Sequence, residues 1–416
     1  LPLGSAEYLM KKEESGGLNS VSLGQLGLRI HGTIDNLAGF YLQATNGAVL
    51  SGEREIAMQD PRLSQNVKFF HMNSDFDFTE SHVRLEKDWF YASIGRETRL
   101  LGSGLSHRLF VSANAPPFDA VDLGASFKLF EYRFTHASLL PYLKEYPNYG
   151  FVAVLPSKYM TMHRFALRPA WGEIAFWESV VYSDRGIDLA YLNPLSFFKS
   201  LEHALHDRDN SAMGFDVTLR PLHRVQFKGS FLLDDIIISE IGNGFWSNKT
   251  AFNAAVMYAS PWDFDIGFEY ARVEPYTFSH FNYINSMTND SMVFAGSLPP
   301  NSDEFSVLLR LWPSFYDRMR YPVEISINYR QHGRNIYDEN DSLIKNVGGD
   351  AMISRRLNDP EYVTFLDGDM QYTFLLSFNT GVEIFRQFSA HLNYMLKSEN
   401  SDISHYVRFT LRFEDF

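Results

Sequence analysis

Residues 264–270 read FDIGFEY, a segment in which apolar and polar side chains alternate at every step. Because successive side chains of a β-strand point to opposite faces, this pattern places four large apolar side chains on one face, with Asp265 and Glu269 on the other. Similar alternation recurs along the chain, in segments 225–233, 323–330, 370–378 and 407–413. The sequence therefore predicts a protein built mainly of half-polar β-strands.

The character of the two faces distinguishes a membrane barrel from a soluble β-protein, whose strands also alternate. The apolar face is aromatic in strand after strand, and the chain contains 36 Phe and 22 Tyr in 416 residues. The polar face carries charges of both signs, which suit a wet lumen. We therefore predict an all-β fold, a closed antiparallel transmembrane β-barrel of about 16–18 strands in a bacterial outer membrane.

The composition excludes several other classes of protein. No apolar run approaches the roughly 18 residues of a membrane-spanning helix. The net charge of −13 argues against a nucleic-acid partner. The absence of cysteine fits an envelope protein without disulfides. Residues 1–4 lack the features of a signal peptide, so we expect the numbering to begin at a mature end.

The predicted barrel covers residues 26–416, and residues 1–25 are predicted to form an N-terminal periplasmic tail. Longer polar stretches between strands are candidates for extracellular loops, at 184–210, 236–249, 276–302 and 333–361. Residues 59–72 and 194–206 are candidates for short helices, the second with Pro194 suited to a first helical turn.

The last predicted strand resembles the end of many bacterial barrels. Val407, Phe409, Leu411 and Phe413 face one way, with polar residues between them. The chain ends in Phe416, so we interpret residues 414–416 as a short extension of that strand.

Two non-repetitive segments carry a family resemblance. Residues 94–123 contain a Gly-Arg pair, a glycine-rich turn and a Ser-x-Asn-Ala-x-Pro element, and residues 163–235 include Tyr191-Leu192-Asn193-Pro194 and Leu233-Asp234-Asp235. In their order over residues 80–240, these elements resemble the Wzi-type capsule-assembly family of outer-membrane proteins. The structural positions of the pattern are Gly102, Gly104, Ala115, Pro117 and Pro194.

The resemblance implies a barrel whose loops bind surface polysaccharide and help to hold capsule at the cell. Sugar recognition requires aromatic faces for the rings, together with Asp, Asn, Glu and Arg for hydroxyls and acidic groups. The candidate polysaccharide-binding residues are Arg96, Asn114, Tyr191, Asn193, Glu202, Asn210 and Trp246. For Trp246, a place in the aromatic belt at the membrane interface is an alternative.

Two clusters raise the question of catalysis. His203 and His206 lie near Asp207 and Asp209, but no HExxH or further ligand pattern accompanies them, so we interpret them as solvated loop residues. The chain has no Gly-x-Ser-x-Gly elbow of the kind that carries the serine of many hydrolases. A hydrolase without that elbow stays an alternative, with Ser106-His107 as an example of its serine and histidine. We expect no catalytic residue, no metal and no cofactor.

We therefore predict a non-enzymatic barrel that binds or anchors surface (capsular) polysaccharide and contacts outer-membrane lipid. Two alternatives stay open. One is a porin or substrate channel, which an open lumen lined by Lys228, Arg310, Glu324 and Arg330 would favour. The other is a scaffold subunit of a larger complex, in which other envelope proteins would be partners.

Overall fold

The computed structural model describes residues 1–14, 16–71, 74–142, 155–312 and 322–414. Its main feature is a single sheet of 18 strands that closes on itself, because β1 pairs with the last strand, β22. Every neighbouring pair in this sheet is antiparallel, for example Ile266 opposite Leu309 and Phe268 opposite Val307. The predicted closed antiparallel barrel is confirmed, at the upper end of the expected strand count.

The strands in chain order are β1 Pro2–Glu13, β2 Leu18–Ile34, β3 Ala38–Gly52, β4 Asp75–Lys87, β5 Phe90–Glu97, β6 Phe118–Phe127, β7 Phe130–Ser138, β8 Lys158–Leu167, β9 Gly172–Ser183, β10 Asn210–Leu222, β11 Val225–Asp235, β12 Lys249–Ala259, β13 Phe264–Val273, β14 Thr288–Asn289, β15 Met292–Val293, β16 Ser302–Leu311, β17 Val323–Arg334, β18 Ile336–Tyr337, β19 Leu343–Lys345, β20 Asp369–Phe385, β21 Phe388–Glu399 and β22 Asp402–Glu414. Two short hairpins, β14–β15 and β18–β19, lie outside the barrel sheet. The helices are α1 Arg54–Ala57, α2 Pro61–Ser64, α3 Val67–His71, α4 Leu189–Leu192 and α5 Phe198–Ala204, with 3₁₀ turns at Ile238–Glu240 and Tyr283–Asn285. None of the helices in the described ranges is long and apolar enough to cross a membrane.

The two rims of the barrel differ in the length of their connections. At one rim, which we call the short-turn rim, tight turns such as the one at Asp35 and Asn36 join the strands, and both residues adopt positive φ (48° and 52°). Such left-handed pairs match the twist of a hairpin. At the other, the long-loop rim, the connections include 184–209, 236–248, 274–301 and 335–368, close to the predicted loops. In bacterial barrels the long loops face the exterior.

The N-terminal segment differs from the prediction. Residues 2–13 and 18–34 are barrel strands, so the tail predicted for residues 1–25 is part of the wall. The physical reason lies on the inner face of β1, where Leu9 is buried in an apolar cluster and Glu7 is bonded to Arg62. The inner face thus mixes apolar Leu9 with charged Glu7, and this mixture removes the regular contrast between polar and apolar sides that identifies a barrel strand. Phe416 lies outside the described residues.

The outer wall is apolar, as the alternation predicts. In β13, Phe268 is 40% exposed while its neighbour Glu269 is 2% exposed and lies inside. Large exposed side chains on the outer face of other strands form a belt that includes Leu26, Ile94, Phe215, Phe305, Tyr372 and Phe409. A closed barrel with such a belt is suited to lipid on its outside.

Inside the barrel, several long connections contribute to filling the lumen. The helical insert, residues 53–71, packs Ile56 and Leu63 against Leu9 and Leu23 of the wall. The lumen loop, residues 98–117, packs Phe110 face to face on Trp177, with ring centroids 4.7 Å apart. Around this stack, an apolar core also includes Met160, Met162, Phe278, Phe294 and Leu298. Much of the lumen is therefore packed like the interior of a soluble protein.

Candidate functional site

The lumen loop is fixed to the opposite wall by one buried carboxylate. Glu269 on β13 accepts hydrogen bonds from the backbone N–H groups of Leu105, Ser106 and His107 at 3.1, 2.5 and 3.1 Å. Asn253 on β12 donates to Glu269 and to the carbonyl of His107 (2.8 and 2.9 Å). Because the loop leaves the wall between β5 and β6, these bonds hold it across the lumen.

His107 makes a second tie. Its Nδ1 atom lies 2.6 Å from Ser297 Oγ and its Nε2 atom lies 3.0 Å from Glu304 on β16. Glu304 also accepts a hydrogen bond from Arg330 at 2.8 Å. The partner of His107 is therefore Ser297 on loop 274–301 and not Ser106, whose backbone binds Glu269. This chain of groups joins the lumen loop, loop 274–301 and the wall.

A cavity of about 580 Å³, the lumen cavity, remains between the helical insert, the lumen loop and the wall of β1–β4. Amide and hydroxyl side chains, including Gln25, Gln43 and Thr45, contribute much of its lining. Gln25 donates to Thr45 at 2.5 Å, and Gln43 accepts from Arg29. The cavity is a polar space within the otherwise packed lumen.

A second cavity, the rim cavity of about 340 Å³, lies at the long-loop rim. Three strand ends meet there, because antiparallel neighbours bring the start of β10, the end of β11 and the start of β12 to the same edge. They supply Asn210, Asp234 and Lys249 to its lining, and α5 supplies Glu202 and His203. Trp246 and Phe281 from two further loops complete it.

Most buried groups of the rim cavity are held by neighbours. Glu202 accepts a hydrogen bond from Lys199 (2.9 Å) and another from Ser211. Asp234 accepts one from the backbone N–H of Phe278 at 2.7 Å. Lys249 donates to the carbonyl of Ser279 at 2.8 Å. These bonds fix the floor of the cavity and leave its rim to the exposed side chains.

The accessible groups of the rim cavity combine aromatic and polar chemistry. Phe281 is 72% exposed. Trp246 is half-buried, stands edge-on to Tyr276 at 6.0 Å and has the Lys249 ammonium 5.7 Å from its ring centroid. Burial lowers the pKa of His280 in this lining to about 4, so its imidazole is neutral at neutral pH. The arrangement offers aromatic ring faces beside hydrogen-bond donors and acceptors.

Of the seven predicted sugar-binding residues, three line the rim cavity: Glu202, Asn210 and Trp246. Asn210 is buried and donates to the carbonyl of Asn285 at 2.9 Å. Tyr191 is fully buried behind the cavity, where its hydroxyl donates to Asp209 at 2.8 Å. Both residues therefore support the rim through protein–protein hydrogen bonds.

The other three predicted residues lie apart from the rim cavity. Arg96 forms an exposed ion pair with Asp119 across β5 and β6, at 2.5 Å. Asn114 donates to the carbonyl of Val293 at 3.0 Å and so joins the lumen loop to loop 274–301. Asn193 is exposed, and its side chain accepts from the backbone N–H of Leu195 at 3.2 Å. The predicted set is thus divided among several places.

The five pattern residues have structural contacts that fit their chemistry. Gly102 adopts a φ of +107°, and a side chain on Gly104 would lie 1.8 Å from the carbonyl of His107. Ala115 is buried in the apolar core, and Pro117 lines the lumen cavity. Pro194 lies between α4 and α5, so it does not open a helix as predicted; its carbonyl accepts a hydrogen bond from Tyr132.

The group of His203, His206, Asp207 and Asp209, interpreted from the sequence as solvated loop residues, is only partly brought together. Helix α5 ends at Ala204, and His206 follows it with a φ of +71°, so His203 and His206 do not share a helical face. Glu202, His203 and Asp207 do bring ligand atoms within 4.8 Å of one another. Asp209 belongs elsewhere, because Arg185 binds it through two hydrogen bonds at 2.9 and 2.6 Å.

Several lining residues were not predicted from the sequence. Lys249 stands at the start of β12 and belongs to no motif. His280 and Phe281 were not named as candidate residues, although they lie in the stretch 276–283, whose aromatic and polar side chains suit sugar binding. One signal was present, because Asp234 and Asp235 end a clearly alternating strand, where polar pairs at a loop boundary commonly reach a rim. Their partner across the rim is set by the closure of the barrel, which no local pattern contains.

Comparison with known proteins gives a likeness of structure only. No protein-family model matches the chain, and no curated protein matches it in sequence. Among solved structures, it is similar to Wzi, an outer-membrane protein involved in group 1 capsule assembly in Escherichia coli and described as a carbohydrate-binding β-barrel. That match has a TM-score of 0.59 and 10% identity, and covers 98% of this chain and 83% of Wzi.

Other solved structures match over nearly the whole chain as well. OccK2 (OpdF) of Pseudomonas aeruginosa, in a complex with glucuronate, has a TM-score of 0.53 at 8% identity, covering 99% of this chain and 94% of that one. OccAB2 of Acinetobacter baumannii has a TM-score of 0.53 at 9% identity, covering 99% and 96%. The fold is thus that of outer-membrane β-barrels, and the chain is built as one.

Proposed function

We propose that this protein is an occluded outer-membrane barrel that binds surface polysaccharide at its rim cavity, in the manner that the resemblance to the Wzi-type family implies. The observation that carries the proposal is the pair of aromatic side chains, Trp246 and Phe281, beside fixed polar groups at the long-loop rim. The volume of the rim cavity, about 340 Å³, lies within the usual range for small-ligand sites.

The state of the lumen supports binding over passage. The lumen loop is bonded to the opposite wall through Glu269, and an apolar core surrounds it. The core and the bonded loop reduce the space that is open to a solute. The structural similarity to Wzi, described as a carbohydrate-binding barrel, agrees with this interpretation.

A glycan array with detergent-purified protein tests the proposal, followed by affinity measurements on the glycan that binds. Trp246→Ala should weaken binding by about tenfold, since a single contact of this kind is worth about 1–1.5 kcal/mol. Trp262→Ala is the matched control, because Trp262 is 76% exposed at the short-turn rim. Equal affinities for both variants would refute the rim cavity as the sugar site.

A substrate channel is the second candidate, and the lumen cavity favours it. Its polar lining of amide and hydroxyl groups would suit a hydrated solute. The similarity to OccK2, a barrel solved with glucuronate, is consistent with this reading. The two candidates predict different conductances, since an occluded barrel carries little current and a substrate channel carries a steady one.

A further inference from the structure

The long connection between β9 and β10, residues 184–209, packs against the outside of the barrel, and we call it the outer strap. Trp177 of β9 faces the lumen, where it stacks on Phe110. Its neighbour Glu178 therefore faces outward, as does His163, its cross-strand partner on β8. Both outward side chains are nevertheless buried, at 0% and 3% exposure. The outer strap covers them.

The underside of the strap covers a hydrogen-bonded pair of side chains. His163 Nε2 lies 2.8 Å from Glu178. Phe198 of the strap stacks on the His163 ring at 4.5 Å, and the backbone N–H of Lys199 donates to Glu178 at 2.8 Å. Phe198 also joins an apolar cluster with Phe134, Val180, Tyr182 and Tyr191. The strap is thus a packed second layer on the wall.

The strap turns several hydrogen-bonding groups toward the wall, and its middle part, residues 187–197, turns large apolar side chains outward. Tyr191 donates to Asp209, and Glu202 accepts from Ser211, which faces outward from β10 beneath the strap. Between residues 187 and 197 the exposed large side chains are Ile187, Leu189, Leu195 and Phe197, at 54%, 80%, 82% and 51%, with Asn193 exposed among them. The exposed titratable residues lie toward the two ends of the strap, at Asp184, His203, His206, Asp207 and Arg208. A segment in water shows the opposite arrangement, whereas one in lipid turns its polar groups to the protein.

The position of the strap agrees with membrane depth. His163 and Glu178 lie near the middle of β8 and β9, so Phe198 and its neighbours Leu195 and Phe197 lie at mid-wall. On the adjacent strands, Phe215 and Phe231 are 52% and 42% exposed on the same outer face. The exposed side of the strap is therefore continuous with the apolar belt.

We propose that the outer strap is embedded in the outer leaflet, where lipid acyl chains contact Leu189, Leu195 and Phe197. Lipid is the occupant because the belt that meets the strap on both sides is itself the lipid-facing surface. In that position the strap shields the His163–Glu178 pair, which would otherwise face hydrocarbon. The strap also supplies Glu202 and His203 to the rim cavity, but the inference rests on its apolar outer side and not on sugar binding.

The absence of cysteine from the chain allows a direct test. Leu195→Cys is reconstituted in phosphatidylcholine vesicles, and its reaction with a water-soluble maleimide is compared with that of Leu357→Cys. Leu357 is the matched control, since it is 95% exposed on loop 335–368 at the long-loop rim. A bimane label on each cysteine then reports quenching by phosphatidylcholine brominated on its acyl chains.

We expect Leu195→Cys to react at least tenfold more slowly than Leu357→Cys, and its bimane to be quenched by brominated chains while that of Leu357→Cys is not. Equal reaction rates without quenching would overturn the proposal. So would disulfide-linked dimers through Leu195→Cys without quenching, which would instead make the strap an interface between two copies. Leu189→Cys repeats the test, and heat-modifiability on gels verifies assembly of each variant.

Discussion

Phe268 lies at the middle of β13, with its side chain on the outer wall. Phe268→Arg would place a charge in the hydrocarbon and should lower the free energy of unfolding by about 2–4 kcal/mol. Urea unfolding in vesicles measures this change. Phe268→Leu is the control and should cost far less, since it keeps an apolar side chain. Equal stability of the two variants would contradict the outward assignment.

His280 in the rim cavity should make loop 274–301 sensitive to acid. Its pKa of about 4 in the fold lies below the ordinary 6.5, so the unfolded loop binds the proton more tightly. The stabilisation is complete above pH 6.5 and is lost as pH falls toward 4, by up to about 3 kcal/mol. Hydrogen exchange of residues 274–301, corrected for the intrinsic pH effect, should show this loss. His280→Gln should abolish the pH dependence, and its persistence would assign it to another group.

The anchoring of the lumen loop can be tested by one substitution, at Glu269. Glu269→Gln replaces an ionised acceptor of three backbone N–H groups, and hydrogen bonds to charged groups are worth about 1.5–3 kcal/mol. The loop should therefore leave its place at least tenfold more often, seen as brief current bursts in planar bilayers. Glu324→Gln, which removes an inner-wall carboxylate paired only with Arg310 in the described residues, is the control and should stay silent. Equal bursts from both variants would exclude Glu269 as the anchor.

How far the sequence predicts an element depends on what lies against it. The faces of β13 were predicted correctly, because lipid and a polar interior impose period two on Phe268 and Glu269. The strand β1 was missed, because the helical insert gives its inner face an apolar Leu9. Glu269 was predicted to face the lumen, but its contact with Ser106, far away in the chain, leaves no local pattern. The predicted sugar-binding residues proved to lie in several places for the same reason, because contacts between distant parts of the chain decide which residues meet.

For the whole molecule, the packed lumen predicts a low conductance. We expect the intact protein in planar bilayers to show no steady current comparable with that of an open channel of this strand number. The apolar core around Phe110 and the ties of His107 fill much of the lumen beside the lumen cavity. A large steady conductance would instead favour the substrate-channel candidate and would place the lumen cavity on its path.

The pairing of β1 with β22 has a consequence for the folding and assembly of the barrel. Each strand of the growing sheet can join its sequence neighbour as a hairpin, but this one seam unites opposite ends of the chain. Until it forms, two unpaired edges offer free N–H and C=O groups to any passing strand. Contacts between distant residues also form slowly, because the entropy of loop closure must be overcome first. A chaperone or a membrane insertase would therefore have to protect the edges of β1 and β22 from pairing with other strands until the seam forms.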